Sequence, residues 1–215
     1  DRMTRTLLCY GDSNTHGTVP MAAIGDMDRF GPGIRWPHRL AGKLKGWAVI
    51  EEGLPGRTTV HDDPIEGPHR NGLSVLPAIL ESHRPIDVVL LMLGTNDLKC
   101  RFSVNASDIG HSLERLVRAV QISQCGPGAG APQVLLVAPP PILETGCLAG
   151  MFEGGAAKSL GLSDRIAEAA ARMGVAFLDA SDVVAVSEID GIHYDEPAQE
   201  ALATAFAEAI TRHFG

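Results

Sequence analysis

The stretch DVVLLMLGTND (residues 87–97) joins a continuous apolar run to a short polar segment. An apolar run without alternation, bounded by turn residues, is typical of a strand buried on both faces, as in a parallel sheet covered by helices. QVLLVAP (133–139) has the same character, and three further runs are TLLCY (6–10), WAVIEE (47–52) and VAFLDA (175–180). The sequence therefore predicts five strands.

Helical patterns separate these strands. The spacing of apolar residues predicts helices over residues 35–44, 105–121, 157–174 and 195–214. Asn105 and Asp195 are suitable N-cap residues, and Gly174 suits the position after a helix. Alternation of strands and helices through the whole chain predicts one domain, residues 1–215, with an α/β fold in three layers and a mainly parallel sheet.

Composition and charge exclude several classes of protein. The chain has 215 residues and a formal net charge of −8, with no cluster of Lys and Arg that would indicate nucleic-acid binding. No apolar run approaches the roughly 18 residues of a membrane span, and none near the start is long enough for a signal peptide. The cysteines lack CxxC spacing and are scattered at Cys9, Cys100, Cys125 and Cys147. We therefore expect reduced thiols, a cytoplasmic location and a small, neutral or weakly charged substrate.

Unusual polar residues follow the predicted strands. GDSN (11–14) follows the first strand, GLPGRTT (53–59) the second, GTND (94–97) the third, and DGIHYDE (190–196) lies beyond the fifth. Ligands of open α/β sheets bind outside the carboxyl ends of the strands. These segments are therefore predicted to meet at one edge of the sheet and to form the site.

Three of these residues supply the groups needed for acyl transfer. The Ser13 hydroxyl would attack, the His193 imidazole would take its proton, and the Asp190 carboxylate would fix the imidazole tautomer. Taken singly, each has a simpler interpretation: Ser13 as a helix N-cap, Asp190 as a surface residue, and His193 as a hydrogen-bonded core residue. The spacing of Asp190 and His193, three residues apart, allows one loop to deliver both.

Acyl transfer also requires donors for the oxyanion that develops on the carbonyl oxygen. Asn96 offers a side-chain amide, while Gly56 and Ser13 offer backbone N–H groups. A turn glycine is the alternative for Gly56, and a turn or cap residue is the alternative for Asn96. We predict that the three donors form an oxyanion hole.

The four segments resemble, in order and spacing, the four blocks of the SGNH, or GDSL-type, hydrolases. The resemblance covers nearly the whole chain, and EEGLPGRTT, LMLGTNDLK and FEGG look especially like bacterial arylesterases with acyltransfer activity. It implies a flavodoxin-like three-layer α/β/α sandwich with a mainly parallel five-stranded sheet, and Ser13, Asp190 and His193 as the triad. Some relatives carry alanine where this chain has Gly56, and we expect either residue to leave the N–H available.

Five residues are predicted to contact substrate. Lys99 and Phe152 match positions that line the pocket in the arylesterases that the chain resembles; a surface lysine and a core phenylalanine are the alternatives. Asn14 stands where the family usually has leucine, so its amide would bond locally or alter the floor of the acyl pocket. Asp12 and Ile192, each next to a predicted catalytic residue, complete the group, and an Asx turn is the alternative for Asp12.

The leading hypothesis is a serine esterase that hydrolyses small aryl or alkyl carboxylic esters with short acyl groups through an acyl-serine intermediate, without metal or cofactor. A carbohydrate deacetylase or a thioesterase of the same superfamily is the alternative. The complete set of catalytic residue types argues against a silent α/β binding module, and GDSNTHG (11–17) lacks the phosphate loop of a flavin or nucleotide binder.

Two long loops, residues 18–34 and 139–155, are predicted to cover the site. Their apolar residues would exclude water and hold an alcohol, which predicts acyl transfer to alcohols; core packing or a homo-oligomer interface is the alternative. These residues are Val19, Pro20, Met21, Ile24, Phe30, Ile142, Leu143, Leu148, Met151 and Phe152. The histidines of HDDPIEGPH (61–69) lack tight metal-ligand spacing, which favours a solvated loop.

Overall fold

Five parallel strands form the central sheet of the protein, which the computed structural model describes from residue 3 to residue 215. The strands are β1 Arg5–Gly11, β2 Trp47–Gly53, β3 Val88–Met92, β4 Gln133–Ala138 and β5 Ala176–Asp179. Their order is β2-β1-β3-β4-β5, and every neighbouring pair is parallel. This is the flavodoxin-like order, so the predicted fold is confirmed.

Seven α-helices surround the sheet within the described part of the chain. They are α1 Ser13–His16, α2 Trp36–Lys43, α3 Gly72–His83, α4 Ala106–Gln121, α5 Gly155–Ser159, α6 Leu162–Met173 and α7 Glu196–Phe214. Asn105 and Asp195 cap α4 and α7 as predicted, each accepting a main-chain N–H with its side chain. Among residues 3–215, no helix combines the length and apolarity needed to cross a bilayer.

Alternate residues of the strands enter two separate cores. Leu8 of β1 and Leu91 of β3 face the core shared with α3, α4 and α6. Leu7 and Leu90 face the opposite core, which α2 and α7 cover. Because side chains alternate along a strand, a nearly continuous apolar run can serve both faces. The result is the predicted arrangement of three layers.

Two helical segments differ from the prediction. The helix predicted over residues 157–174 is divided into α5 and α6, because Gly161 stands between them as the N-cap residue of α6. Helix α3 is not among the predicted helices. Its sequence contains Pro77, which lacks a main-chain N–H and normally interrupts a helix. In the structure, Leu76 and Leu80 hold this helix against the core.

Strand β1 lies where the chain reverses its direction of travel across the sheet, with β2 on one side and β3 on the other. Such a reversal leaves a crevice at the carboxyl end of the strand. Ser13 follows β1 directly, so the fold places this residue at the mouth of the crevice.

Candidate active site

The polar segments after the strands meet around one cavity at the carboxyl edge of the sheet. The cavity has a volume of about 350 Å³. Seven of the predicted site residues line it, namely Ser13, Gly56, Asn96, Lys99, Phe152, Ile192 and His193. Residues far apart in the chain are thus brought together as expected from the strand order.

The turn from β1 into α1 presents Ser13 without using its hydroxyl as a cap. Asp12 is the N-cap residue, and its Oδ1 accepts the Asn14 N–H at 2.9 Å. A side chain at Gly11 would collide with Thr15, so only glycine fits the strand end. The structure therefore excludes the N-cap interpretation of Ser13 and leaves its hydroxyl directed to a different partner.

That partner is His193. Its Nε2 lies 2.9 Å from Ser13 Oγ, and its Nδ1 lies 2.6 Å from Asp190 Oδ2. All three side chains are almost entirely buried, with exposed fractions of 6% or less. A hydroxyl, an imidazole and a carboxylate in this order form a path along which a proton can leave the serine.

The Asp190 carboxylate is held by four donors. Its Oδ1 accepts the main-chain N–H groups of Ile192 and His193, and its Oδ2 accepts the Met21 N–H at 2.7 Å as well as the imidazole. Burial alone would raise the pKa of Asp190, but the hydrogen bond and charge of His193, together with the main-chain donors, lower it to about 2. Asp190 therefore stays ionised at neutral pH and favours a proton on Nδ1 of the imidazole.

The three predicted oxyanion donors, Ser13, Gly56 and Asn96, line the same cavity. Asn96 begins a short 3₁₀ turn after β3, and its Nδ2 donates to Arg57 O at 3.1 Å and lies 3.4 Å from Asp12 Oδ2. These contacts fix the amide plane at the cavity wall. The contact with Asp12 is long and therefore weak, so the N–H that makes it is available to a substrate oxygen.

Gly56 adopts a left-handed conformation with φ of 77°. An added Cβ would lie 3.3 Å from Arg70 Cδ and 3.4 Å from Glu66 Oε2, which is close to van der Waals contact. The backbone conformation, more than the space, therefore favours glycine. An alanine at this position would keep its N–H but would be strained at this φ.

Arg57 ties the first two strand ends together, a role that the sequence analysis did not assign. Its guanidinium donates to Gly11 O at 3.0 Å and to Glu52 O at 2.6 Å, and it lies over the Tyr10 ring. Because Arg57 also accepts the Asn96 amide through its carbonyl, it links the nucleophile turn to the oxyanion side. The position of this arginine within the segment GLPGRTT, which follows a strand, is the sequence signal from which the role could have been predicted.

Asp12 and Asn14, both predicted to contact substrate, do not line the cavity. Their side chains bond to protein groups instead, because the tight turn after β1 directs them into the interior. Burial raises the pKa of Asp12 to about 6, against the opposing effects of the Asn14 N–H and the charges of His193 and Arg57. The Asx-turn alternative therefore describes Asp12 better than substrate contact does.

Replacing Asp12 by asparagine should stabilise the folded protein more at neutral than at acidic pH. In the wild type, the raised pKa means that stability is greatest below the ordinary value of 3.8 and falls as the pH rises through about 6. We expect the gain in unfolding free energy for Asp12→Asn over wild type to grow by about 2–3 kcal/mol between about pH 4 and about pH 7. Denaturant titrations measure it, and a gain independent of pH would contradict the prediction.

One wall of the cavity is charged. Lys99, although only 4% exposed, donates to Glu66 Oε2 at 2.7 Å, and Arg101 contacts the same oxygen at 3.2 Å. Burial lowers the pKa of Lys99, and the bond to Glu66 opposes that effect. Glu66 and Arg70 also line the cavity but were not predicted from the sequence, since nothing in their spacing distinguishes them from loop charges.

The other wall is apolar. Phe152 and Ile192 line it as predicted, and the two long loops add Met21, Ile24, Leu148 and Met151. Val19, Pro20, Phe30, Ile142 and Leu143, from the same loops, are not among the lining residues. Of these, Ile142 joins the buried core, which was the alternative interpretation for the loop residues. His16, at the end of α1, also lines the cavity.

The segment HDDPIEGPH folds as a compact loop. Asp63 Oδ1 accepts the N–H groups of Ile65 and Glu66, while His61 stacks on Phe102 and lies 3.4 Å from Asp97 Oδ2. Within residues 3–215, no three side chains of the metal-binding types gather closely enough to hold an ion.

The chain is similar to known hydrolases over nearly its whole length. Residues 9–201 match the sequence model of the GDSL-like lipase/acylhydrolase family. The aryl esterase of M. smegmatis is 40% identical, with 97% of this chain and 99% of that chain covered and a TM-score of 0.93. Est24, a carbohydrate acetylesterase from Sinorhizobium meliloti, is 38% identical, with 98% and 100% covered and a TM-score of 0.94. No curated protein sequence gives a significant match.

Proposed function

The chain belongs to the GDSL-like lipase/acylhydrolase family and is a carboxylic ester hydrolase, and from this premise we propose that Ser13 is its nucleophile, His193 its general base and Asp190 the residue that orients the base. The observation that carries the proposal is the unbroken series of contacts from Ser13 Oγ through the imidazole to Asp190 Oδ2, of 2.9 Å and 2.6 Å. These lengths are those of good hydrogen bonds.

In the proposed reaction, Ser13 Oγ forms a bond to the carbonyl carbon of the ester while its proton moves to His193 Nε2. The tetrahedral intermediate collapses when the bond to the alcohol oxygen breaks, and the imidazolium gives its proton to that oxygen. Water then loses a proton to the same Nε2 and attacks the acyl-serine, which releases the acid and restores the Ser13 hydroxyl. Asp190 stays ionised throughout and stabilises the imidazolium.

We assign the oxyanion to the N–H groups of Ser13 and Gly56 and to the Asn96 side chain. All three residues line the cavity. Gly56 lies in a turn beyond the end of β2 and has a positive φ, so its N–H is outside the hydrogen-bonding pattern of the sheet, which supports the assignment. Donors fixed before the reaction stabilise the developing charge without reorganising.

Asn96→Ala should lower kcat by about 10²–10³-fold with little change in KM, because the amide would bind the oxyanion more strongly than the neutral carbonyl oxygen. Steady-state kinetics on p-nitrophenyl acetate measure both constants. A thermal melt is the control, since Asn96 also bonds to Arg57 O. An unchanged kcat in a folded variant would reject the role.

The two cavity walls support a choice of substrate. A cavity of about 350 Å³ suits a small ester with a short acyl group. The apolar wall fits aryl or alkyl groups, as the similarity to an aryl esterase would suggest. The charged wall of Lys99, Glu66 and Arg70 offers donors and acceptors for hydroxyl groups, and this favours acetylated sugars as the second candidate, in line with the carbohydrate acetylesterase Est24.

We also propose acyl transfer to alcohols in competition with hydrolysis. Its support is the apolar wall beside His193, where Met21, Leu148 and Ile192 would hold an organic alcohol better than water. The partition between acid and new ester then depends on which nucleophile occupies the position next to the acyl carbon.

One competition assay tests the ester activity and the transfer activity separately. With vinyl acetate and benzyl alcohol in buffer, we expect acetic acid and benzyl acetate together, with the share of benzyl acetate rising with alcohol concentration. Acetic acid without benzyl acetate at every alcohol concentration would reject transfer, and the absence of both products would reject the esterase.

We further propose a cytoplasmic location, a single domain and assembly into a homo-oligomer, each supported by a different observation. All four cysteines are free, which supports a cytoplasmic location. Strands and helices from Arg5 to Phe214 share one sheet and its two cores, which supports a single domain. Ile24 and Met27 are 66% and 91% exposed at the cavity mouth, which supports a homo-oligomer that covers them.

A further inference from the structure

The side chain of Asn14 joins the segment that carries the proposed nucleophile to the segment that carries the proposed base. Asn14 follows Ser13 in α1, and its Nδ2 donates to Ile192 O at 3.0 Å across 178 positions of sequence. Ile192 O belongs to the peptide unit whose N–H is that of His193. The bond therefore connects the neighbours of the two reacting side chains.

The peptide unit between Ile192 and His193 is fixed on both sides. Its carbonyl accepts the Asn14 amide at 3.0 Å, and its N–H donates to Asp190 Oδ1 at 2.9 Å. Asp190 sets the rotation of the imidazole, and Asn14 sets the distance of the main chain from the Ser13 turn. The two residues therefore restrain the imidazole independently, one in its rotation and the other in its distance from Ser13.

Asn14 is itself held rigidly. Its N–H donates to Asp12 Oδ1 at 2.9 Å, and its carbonyl accepts the Trp36 indole N–H at 2.7 Å. Asn14 is only 3% exposed, and Trp36 is fully buried. Because these hydrogen bonds restrain Asn14, its side-chain amide holds the His193 segment at a fixed position relative to α1.

From these contacts we propose that Asn14 is a positioning residue, which holds the His193 segment in register with Ser13 so that Nε2 stays within hydrogen-bond distance of Oγ. The inference rests on the proposed roles of Ser13 and His193. Asn14 does not line the cavity, so its effect passes through His193 and not through substrate contact. This chain thus gains a polar clamp at the position where leucine is usual in the family that it resembles.

Leucine at this position has nearly the shape of asparagine but no donor. The carbonyl of Ile192 would lose the Asn14 bond, and the His193 segment would be free to shift relative to Ser13. A displacement of about 1 Å between reacting groups can cost about 100-fold in rate. The loss appears in kcat, since substrate binding does not use this side chain.

The first test compares Asn14→Leu with Gln121→Leu. Gln121 Nε2 also donates to a distant carbonyl, Met173 O at 3.0 Å, but it does so between α4 and α6. We expect Asn14→Leu to lower kcat on p-nitrophenyl acetate and the rate of Ser13 phosphonylation by about 10–100-fold, with KM within about twofold. Gln121→Leu should keep both rates. An Asn14→Leu protein that folds and keeps wild-type kcat would overturn the proposal.

The second test does not depend on the stability of the leucine variant. In Asn14→Asp, an ionised carboxylate faces the Ile192 carbonyl and repels it, whereas the protonated carboxyl donates to it as the amide does. The ratio of the variant's kcat to that of the wild type should therefore rise about 10-fold or more as the pH falls through the pKa of the introduced carboxyl. Taking the ratio cancels the titration that both proteins share. A ratio that does not change with pH would overturn the proposal.

Failure of this inference differs from failure of the proposed function. If Ser13→Ala abolishes turnover while Asn14→Leu is fully active, Asn14 does not position the base, and the triad assignment stands. If Ser13→Ala remains active, the triad assignment itself is wrong, and the Asn14 proposal falls with it.

Discussion

Replacing Ser13 by alanine should reduce ester hydrolysis by about 10⁴–10⁶-fold, and the oxyanion donors and binding should account for the rate that remains above the uncatalysed reaction. The hydroxyl is the group that forms the covalent acyl intermediate, and its neighbours offer no substitute at the same distance from His193 Nε2. The substitution removes one hydrogen bond, that to His193, so the protein should remain folded. Initial rates with p-nitrophenyl acetate, corrected for spontaneous hydrolysis, give the loss.

Covalent labelling separates this role from a structural effect. A serine-directed organophosphonate should add one group to the wild type, and peptide mass spectrometry should place it on Ser13. The alanine variant should take up no label and should melt near the wild-type temperature. Label found on another residue, together with retained activity of Ser13→Ala, would show that the nucleophile lies elsewhere.

Replacing Asp190 by asparagine is the second substitution with a large expected effect, and it should lower kcat by about 10⁴-fold. The asparagine keeps an oxygen for the N–H groups of Ile192 and His193, but its NH₂ group would face the imidazole Nδ1 in place of Oδ2. The imidazole must then carry its proton on Nε2, the nitrogen that has to accept the Ser13 proton. The bond from the Met21 N–H to Oδ2 is lost as well, while the two bonds to the remaining oxygen keep the segment in place and the tautomer is wrong.

Asp195→Asn is the matched control for that variant. Asp195 lies five residues further on and caps α7 by accepting the Ala198 N–H at 3.0 Å, which an asparagine oxygen can also do. We expect its kcat to stay within about twofold of the wild type. If Asp190→Asn and Asp195→Asn lowered kcat equally, the loss would reflect a general sensitivity of the segment that carries both residues, and the orienting role of Asp190 would be rejected.

The sequence predicts the fold well because buried parallel strands leave a strong pattern. The run at 87–93 and its counterparts become β1 to β5 with no end shifted by more than one residue. The split between α5 and α6 was missed, since apolar spacing continues across Gly161. Helix α3 was missed because tertiary packing of Leu76 and Leu80 holds a helix that Pro77 disfavours locally.

The candidate site is predictable to a smaller extent. Residues that follow the strand ends, such as Ser13 and Asn96, reach the cavity because the sheet brings those ends together. Glu66 and Arg70 come from the long connection between β2 and α3, whose path depends on contacts that no local pattern encodes. The direction of a side chain within a tight turn is equally hidden, and for that reason Asn14 was expected at the substrate and is found pointing at Ile192 O.

The hydrogen bond from Met21 N–H to Asp190 has a consequence for protein engineering. Residues 18–34 offer attractive positions for widening the pocket, yet this loop supplies one of the four donors to the orienting carboxylate. Libraries that reshape it for bulky substrates should therefore lose turnover along with selectivity. Met151 lines the same cavity from a segment whose main chain bonds to Cys100 and Leu148 instead. Randomising Met151 should broaden the range of accepted substrates while the catalytic groups keep their geometry.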